Sequence, residues 1–227
     1  MYSAASGLIE AMKVIMPDSG TGSEWHSIPA QMFSFGSGGI LKWGTVCGAL
    51  TGCLSVLNMM GLHEKLGNEL MGWYCATSFP TGNVWALYKK GGWKPYYAPV
   101  PDKKVLAHTV SDSPLCHVSI SKWFAEAGVG YTDKGDPPHS TALKKDRCGK
   151  LTADTTRKCA ELVNDFVMGK FKATDWFAGA AYKGCIDCHS YRGKATSKDS
   201  EENTISLMDC RGCHTDDANI VSKDHPN

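Results

Sequence analysis

Apolar side chains recur along much of the chain at the spacing expected of helices that are buried on one face. Residues 3–16 carry apolar positions three to four residues apart, which predicts an amphipathic helix. Residues 42–60 are almost continuously apolar and predict a buried helix that ends at Gly61. The intervening residues 17–39 are rich in Gly, Ser and Pro, which predicts a loop.

Three more helices are predicted further along the chain. Residues 63–77 form a second helix packed after a short turn. Ser113 is followed by proline, the order of an N-cap and a first helical position, so a helix is predicted from Ser113 to about Gly128. A long helix is predicted at about 140–170, and residues 82–104 form a loop or extended segment. Few alternating strand patterns occur, so the predicted fold class is mostly α.

Composition and charge narrow the function classes. The chain has 227 residues, of which 42% are apolar and 21% charged, as in a globular protein. The formal net charge of +1 argues against a nucleic-acid partner. The longest apolar run, residues 46–62, contains three glycines and an asparagine, so no transmembrane segment is expected.

Two C-x-x-C-H motifs near the C-terminus are the strongest chemical signal in the sequence. Their residues are Cys185, Cys188 and His189 in the first motif, and Cys210, Cys213 and His214 in the second. This motif is the attachment signature of c-type haem. Two thiols at this spacing reach both vinyl groups on one porphyrin edge, and the adjacent histidine supplies the proximal iron ligand. We therefore expect two haem c groups per chain.

Other readings of the paired cysteines are a zinc ribbon, a thioredoxin-like redox pair and plain disulfides. The 21 residues 189–209 separate the two pairs, which is close to a zinc-ribbon spacing. A zinc site with four cysteine ligands does not need a histidine after both pairs, and no strand pattern supports a thioredoxin-like context. Haem attachment is thus the favoured interpretation, and a zinc-binding module is the alternative outside redox chemistry.

The chain is expected to form two domains. Residues 1–172 would form a helical, cysteine-rich domain with a non-haem iron centre, and residues 173–227 a short di-haem segment. The segment 190–209 is polar and has no core of its own. The porphyrins would supply the missing apolar mass, packed against the N-terminal domain or a second copy of the chain.

Six more cysteines lie in the N-terminal part: Cys47, Cys53, Cys75, Cys116, Cys148 and Cys159. Cys148 and Cys159 are eleven residues apart on one predicted helix, about 16 Å along its axis, so they cannot bond each other. Cys47 and Cys53 are six apart and point in different directions. Any iron site or disulfide must therefore combine different segments. An iron centre, disulfides and buried inert thiols all remain open on this reasoning.

Several blocks of the sequence resemble known proteins. Residues 35–40 and 43–52, with the run Cys-Gly-Ala-Leu-Thr-Gly, resemble the glycine-rich stretch and CGAxTG motif of a family of small cysteine-rich redox proteins. Residues 113–123 and 147–154 resemble further blocks of that family. Such a domain followed by two C-x-x-C-H motifs resembles the split-Soret cytochrome c family.

The resemblance implies a homodimer with two haems per chain and bis-histidine ligation, in which a ligand crosses between subunits. It also implies a non-haem iron centre in the N-terminal domain. The motif matches make Cys47, Cys116 and Cys148 the best candidates for that centre. Further candidates, which match no block of the family, are Cys53, Cys75 and Cys159. Relatives often have a cysteine near the start, where this chain has Ser-Ala-Ala-Ser at residues 3–6, so the ligand count stays open.

The sixth ligands of the haem irons are expected among the remaining histidines. His117 ranks first; it follows Cys116 in a predicted helix, about 100° around the axis, so that one could face an iron centre and the other a haem. His26 and His108 come next, because they lie in loop-like stretches that can reach across a subunit boundary. His225 ranks below them.

Electron transfer is the predicted function, because six-coordinate haem irons exchange electrons without binding a substrate. The chain is thus expected to be an electron carrier with redox protein partners rather than an enzyme. The alternative is a haem-dependent reductase of a small nitrogen oxyanion or peroxide, acting at a five-coordinate haem. A periplasmic location is expected, because bacteria attach haem c outside the cytoplasm. No export leader is recognisable at residue 1, so such a leader would already have been removed.

Overall fold

The computed structural model describes residues 1–83, 86, 90–91, 107–128 and 138–174. The chain divides into two compact units, Met1–Thr174 and Asp175–Asn227. Both C-x-x-C-H motifs and His225 lie outside the described residues, as does most of the segment 82–104. The assignments made for these residues therefore stay predictions from the sequence, and the observed helices and strands belong to the first unit.

The first unit is mostly helical, as predicted. Its longer elements in the described part of the chain are α1 (Tyr2–Ile15), α2 (Gly48–Met59), α3 (His63–Ala76), α4 (Cys116–Ala127) and α5 (Pro138–Val167). The stretch predicted as a loop before α2 contains two 3₁₀ helices, Ser23–Ser27 and Ala30–Gly36. Two short antiparallel strands, β1 (Ser78–Phe79) and β2 (Thr109–Val110), pair after α3.

Helix α2 lies at the centre of the unit and contacts α1, α3 and α5. Each of these helices buries one apolar face. The side chains that form this core include Ala5, Ile9, Leu50, Val56, Leu57, Leu66, Leu70, Leu151 and Leu162. Burial of each large aliphatic side chain contributes about 1.5–3 kcal/mol, so packing on α2 is the main source of stability. None of the described helices combines the length and hydropathy needed to cross a bilayer, as the sequence predicted.

Two helix starts differ from the sequence prediction for identifiable reasons. Helix α2 begins at Gly48 rather than at Lys42, because Ile40, Leu41 and Lys42 have φ of 57°, 49° and 70°, which a right-handed helix excludes. Helix α4 begins at Cys116 rather than at Ser113. The Ser113 hydroxyl instead accepts a hydrogen bond from the Leu115 N–H at 3.2 Å, within a turn.

The predicted end of α2 at Gly61 is confirmed. Gly61 has φ of 68°, and the following Leu62 N–H donates to the Leu57 carbonyl at 2.8 Å. This is a Schellman arrangement, which needs a left-handed residue and therefore favours glycine. The turn lets α3 begin at His63 and pack back against α2.

The glycines of the CGAxTG run allow α1 to approach α2 closely. A Cβ atom at Gly52 would lie 2.5 Å from the Met1 carbonyl oxygen and 3.0 Å from the Ala4 Cβ. Real Cβ atoms essentially never come within 3.0 Å of another residue's heavy atoms. The glycine at this position is thus a packing requirement of the fold.

We expect Gly52→Ala to lower the free energy of unfolding by about 1–3 kcal/mol, because the added methyl group overpacks the interface between α1 and α2. Urea denaturation followed by circular dichroism measures this change. Gly149→Ala is the matched control, since Gly149 is exposed in α5 and a Cβ there meets no atom within 4 Å. The free energy of unfolding of this control should rise by up to about 1 kcal/mol, because alanine has a higher helix propensity than glycine. Equal stability of the two variants would show that the contact between α1 and α2 does not require a glycine at position 52.

Candidate metal centre

The loop before α2 and the segment before α4 pair with each other through their backbones. The Cys47 N–H donates to the Pro114 carbonyl at 2.8 Å, and the Cys116 N–H donates to the Thr45 carbonyl at 2.7 Å. Cys47 immediately precedes α2, and Cys116 is the first residue of α4. The pairing therefore brings two cysteines together, each at the N-terminus of a helix, where the helix dipole favours a negative charge such as a thiolate.

The same pairing extends by one residue to His117. Its N–H donates to the Gly44 carbonyl at 3.1 Å. Gly44 has φ of 73°, and a Cβ atom there would lie 3.0 Å from the His117 Cβ. A glycine at this point thus allows the two segments to approach closely on the His117 side.

Helix α5 brings a third thiol, that of Cys148, to the same region. The pKa of Cys116 is raised to about 11, first by burial and then by the negative charges that Cys47 and Cys148 would carry. The pKa of Cys148 is also raised, again first by burial, and the charge of Cys47 adds to the rise. Each thiol is therefore close enough to the others for their thiolates to repel one another.

Three thiols contributed by three elements fit a soft metal or an iron–sulfur centre in their donor chemistry, because thiolates are the ligands of such centres. A bound cation would also offset the repulsion between them. No group of three His, Cys, Asp or Glu side chains among the described residues is already arranged to hold a metal ion.

A buried arginine lies beside these thiols. Arg147, which is 3% exposed, donates from Nη2 to the Ser119 hydroxyl at 2.7 Å. Its positive charge opposes the rise in the pKa of both Cys116 and Cys148. The sequence reasoning missed Arg147, because a single arginine in a charged, amphipathic segment is normally exposed.

Cys53 and Cys159 form a separate, buried pair between α2 and α5. Their side chains are hydrogen-bonded, and this bond, followed by burial, raises the pKa of Cys53 well above its ordinary value. The Cys53 thiol also lies 3.8 Å from the Thr155 carbonyl oxygen, to which it donates. The inference that Cys47 and Cys53 face different directions agrees with this arrangement. Cys148 and Cys159 lie on one continuous helix, α5, so the prediction that they cannot bond each other is confirmed.

Cys75 lies in different surroundings from the three thiols. It is 5% exposed, and its backbone carbonyl accepts a hydrogen bond from the Asp112 N–H at 3.0 Å. Burial, together with the charge of Asp112, raises its pKa to about 12. As with Cys53, a role for Cys75 as an iron ligand remains a prediction from the sequence.

Three of the histidines considered as haem ligands lie in the described residues, and all three are exposed: His26, His108 and His117. His26 has its Nε2 3.2 Å from the Met16 carbonyl oxygen, and His108 places Nδ1 against the Pro80 carbonyl. Metal-ligating histidines commonly bond a carbonyl through one ring nitrogen and the metal through the other. His26 and His108 have a bond of that kind, whereas His117 is fixed through its backbone. The haem motifs themselves lie outside the described residues.

Comparison with known proteins places the chain in a family. Residues 14–162 match the family described as "Putative redox-active protein (C_GCAxxG_C_C)". Split-Soret cytochrome c from Desulfovibrio desulfuricans (strain ATCC 27774) is 32% identical over 212 residues, which cover 90% of this chain and 67% of that protein. The solved structure titled "A novel iron centre in the split-Soret cytochrome c from Desulfovibrio desulfuricans ATCC 27774" matches with a TM-score of 0.65 and 27% identity, over 99% of this chain and 84% of the other.

The chain is a member of this C_GCAxxG_C_C family of redox proteins. Within it, the chain is a homologue of split-Soret cytochrome c, as the sequence blocks around Cys47, Cys116 and Cys148 predicted. The family and the cytochrome relative together support a redox role in electron transfer.

Cys75 should react slowly with iodoacetamide in the folded protein. At pH 8.5 a thiol with a pKa of about 12, compared with the ordinary 9.0, has about a thousandfold less thiolate, which is the reactive form. Because the folded state keeps this proton, the free energy of unfolding should also fall as the pH rises from about 9 to about 12. Mass spectrometry of digested samples measures labelling at each cysteine. Labelling of Cys75 as fast in buffer as in urea would contradict the assignment, and Cys75→Ser identifies the peptide signal.

Proposed function

We propose that the chain is an electron carrier with two c-type haems in residues 173–227 and a non-haem iron centre at Cys47, Cys116 and Cys148. The observation that carries the proposal is the convergence of three thiols in a domain that precedes two C-x-x-C-H motifs. Haem and iron both exchange single electrons. Their presence on one chain gives a site of electron entry and a site of exit.

The haem half of the proposal comes from the motifs and from the cytochrome relative. The attachment cysteines are Cys185, Cys188, Cys210 and Cys213, and the proximal ligands are His189 and His214. Two of the three histidines His117, His26 and His108 supply the sixth ligands, and one of these two binds a haem of the partner subunit in a homodimer. Two axial histidines close both faces of the iron, so that electrons pass without substrate binding.

The iron half of the proposal comes from the thiols of the described unit. The homologous structure is described as holding a novel iron centre, and the three thiols lie in the sequence blocks that resemble the family. The backbone pairing fixes Cys47 and Cys116, and α5 contributes Cys148. These residues hold the iron, while Cys53 and Cys159 contribute a thiol pair to the core instead.

The proposal also includes an exported, periplasmic protein with redox protein partners. Covalent haem attachment in bacteria takes place outside the cytoplasm, which supports this location. The resemblance implies a homodimer. A haem segment with little polypeptide core of its own must pack its haems against another protein surface, which a second subunit can supply.

Metal and haem stoichiometry tests the proposal. Protein purified without oxygen should contain two haems per chain that stay attached in acidified organic solvent, together with additional iron. Cys47→Ser, Cys116→Ser and Cys148→Ser should each lose the additional iron and keep both haems. Cys75→Ser changes a thiol in different surroundings and should keep all the iron; loss of iron from this variant would instead make Cys75 a ligand. Loss of haem into the solvent would contradict the cytochrome proposal, and two haems without further iron would contradict the iron centre.

Carbon monoxide distinguishes a carrier from a reductase. The reduced spectrum of freshly prepared protein should not change on addition of carbon monoxide, because both axial positions of each haem are filled. Rapid binding would show an open haem position and favour catalysis.

A further inference from the structure

Arg147 is a buried cation in the part of the chain that also carries the three thiols. We infer that its guanidinium compensates the negative charge of the thiolate-bound iron centre and so makes that centre easier to reduce. The inference rests on the proposed iron centre and assigns to it a residue outside its ligand set.

The burial of Arg147 is unusual because it has no carboxylate partner among the described residues. Its side chain is 3% exposed, and none of the ion pairs in the described residues involves it. Lys150, one turn further along α5, shows the ordinary arrangement: it is also buried, and its Nζ lies 2.6 Å from a carboxylate oxygen of Asp146. A buried charge without a counter-charge is strongly unfavourable, so Arg147 needs an anion from elsewhere.

The hydrogen bonds of Arg147 do not supply that anion. Nη2 donates to the hydroxyl and the carbonyl oxygen of Ser119, at 2.7 and 3.3 Å, and both acceptors are neutral. The Tyr74 hydroxyl donates to the same Ser119 oxygen at 3.3 Å, which fixes its position. Nε has no hydrogen-bond partner among the described residues. Nη2 is thus held in place by neutral groups, while Nε keeps an N–H without a partner in the described part of the chain.

The hydroxyl of Tyr74 and the thiols of Cys116 and Cys148 are groups near Arg147 that can lose a proton and become anions. Arg147 directly precedes Cys148 on α5, and Ser119 lies one turn after Cys116 on α4. The charge of Arg147 acts on both thiols and favours their thiolate forms. Metal ligation requires those forms.

Charge compensation of this kind has a predictable effect on the reduction potential. Reduction adds an electron to a centre that already carries thiolate charge, and a nearby cation favours the added electron. Removal of the positive charge should therefore disfavour reduction. In protein without the non-haem iron the same change removes an uncompensated buried charge, so it should not destabilise the fold.

The test is a redox titration of the non-haem centre in the complete protein, monitored by electron paramagnetic resonance, for Arg147→Gln and Arg147→Lys. Arg147→Gln should lower the ratio of reduced to oxidised centre at a fixed potential about tenfold, a negative shift of about 59 mV for one electron. Arg147→Lys retains the charge and should shift the potential less. Arg157→Gln is the matched control on the same helix, since Arg157 is exposed and paired with Glu161. It should leave the potential unchanged.

A second pair of variants tests the charge without removing the arginine. Ser119→Asp would place a carboxylate beside the guanidinium and neutralise it, so its potential should shift in the same direction as that of Arg147→Gln. Ser119→Asn is the neutral control of similar shape and should shift the potential less. This pair still gives a result if Arg147→Gln does not fold.

Three outcomes would overturn the inference. If Arg147→Gln binds iron with an unchanged potential but unfolds more easily when the non-haem iron is removed, Arg147 has only a structural role. Equal potentials for Ser119→Asp and Ser119→Asn would have the same meaning, and in both cases the proposed iron centre would stand. If the wild-type protein itself contains no non-haem iron, both the iron centre and this inference fail.

Discussion

The candidate centre depends on the backbone pairing between the loop that ends at Cys47 and the segment that leads into α4. Two hydrogen bonds of 2.7 and 2.8 Å hold these segments together across almost seventy residues of sequence. They place the start of α2 beside the start of α4, with a cysteine at each helix N-terminus. This pairing is what brings Cys47 and Cys116 next to each other despite their separation in the sequence.

The helix packing then separates the cysteines into groups with different chemistry. Close contact of α1 with Gly52 positions α2, and α5 packs against α2 with Cys148 near one end and Cys159 further along. Cys148 thereby joins the two cysteines at the helix starts. Cys159 meets Cys53 inside the core, where their side chains are hydrogen-bonded. One helix thus supplies both a candidate iron ligand and a core thiol.

Sequence periodicity predicted the mostly helical class and the positions of α1, α3 and the end of α2, because these depend on local apolar spacing and on a left-handed glycine at Gly61. It misplaced the starts of α2 and α4. Both depend on the pairing of distant segments, which competes with local helix signals such as the one at Ser113. The motif resemblance selected the three thiols that the fold groups together. It included Arg147 in a matched block but gave no indication of its burial, which is decided by contacts with Ser119 on another helix.

The central claim is that iron binds in the region where the three thiols converge. Anomalous diffraction at the iron edge, from crystals of the complete protein grown without oxygen, measures this directly. The account predicts an iron peak at bonding distance from the Sγ atoms of Cys47, Cys116 and Cys148, in addition to one peak at each haem. Iron peaks at the two C-x-x-C-H motifs with none beside these thiols would contradict it.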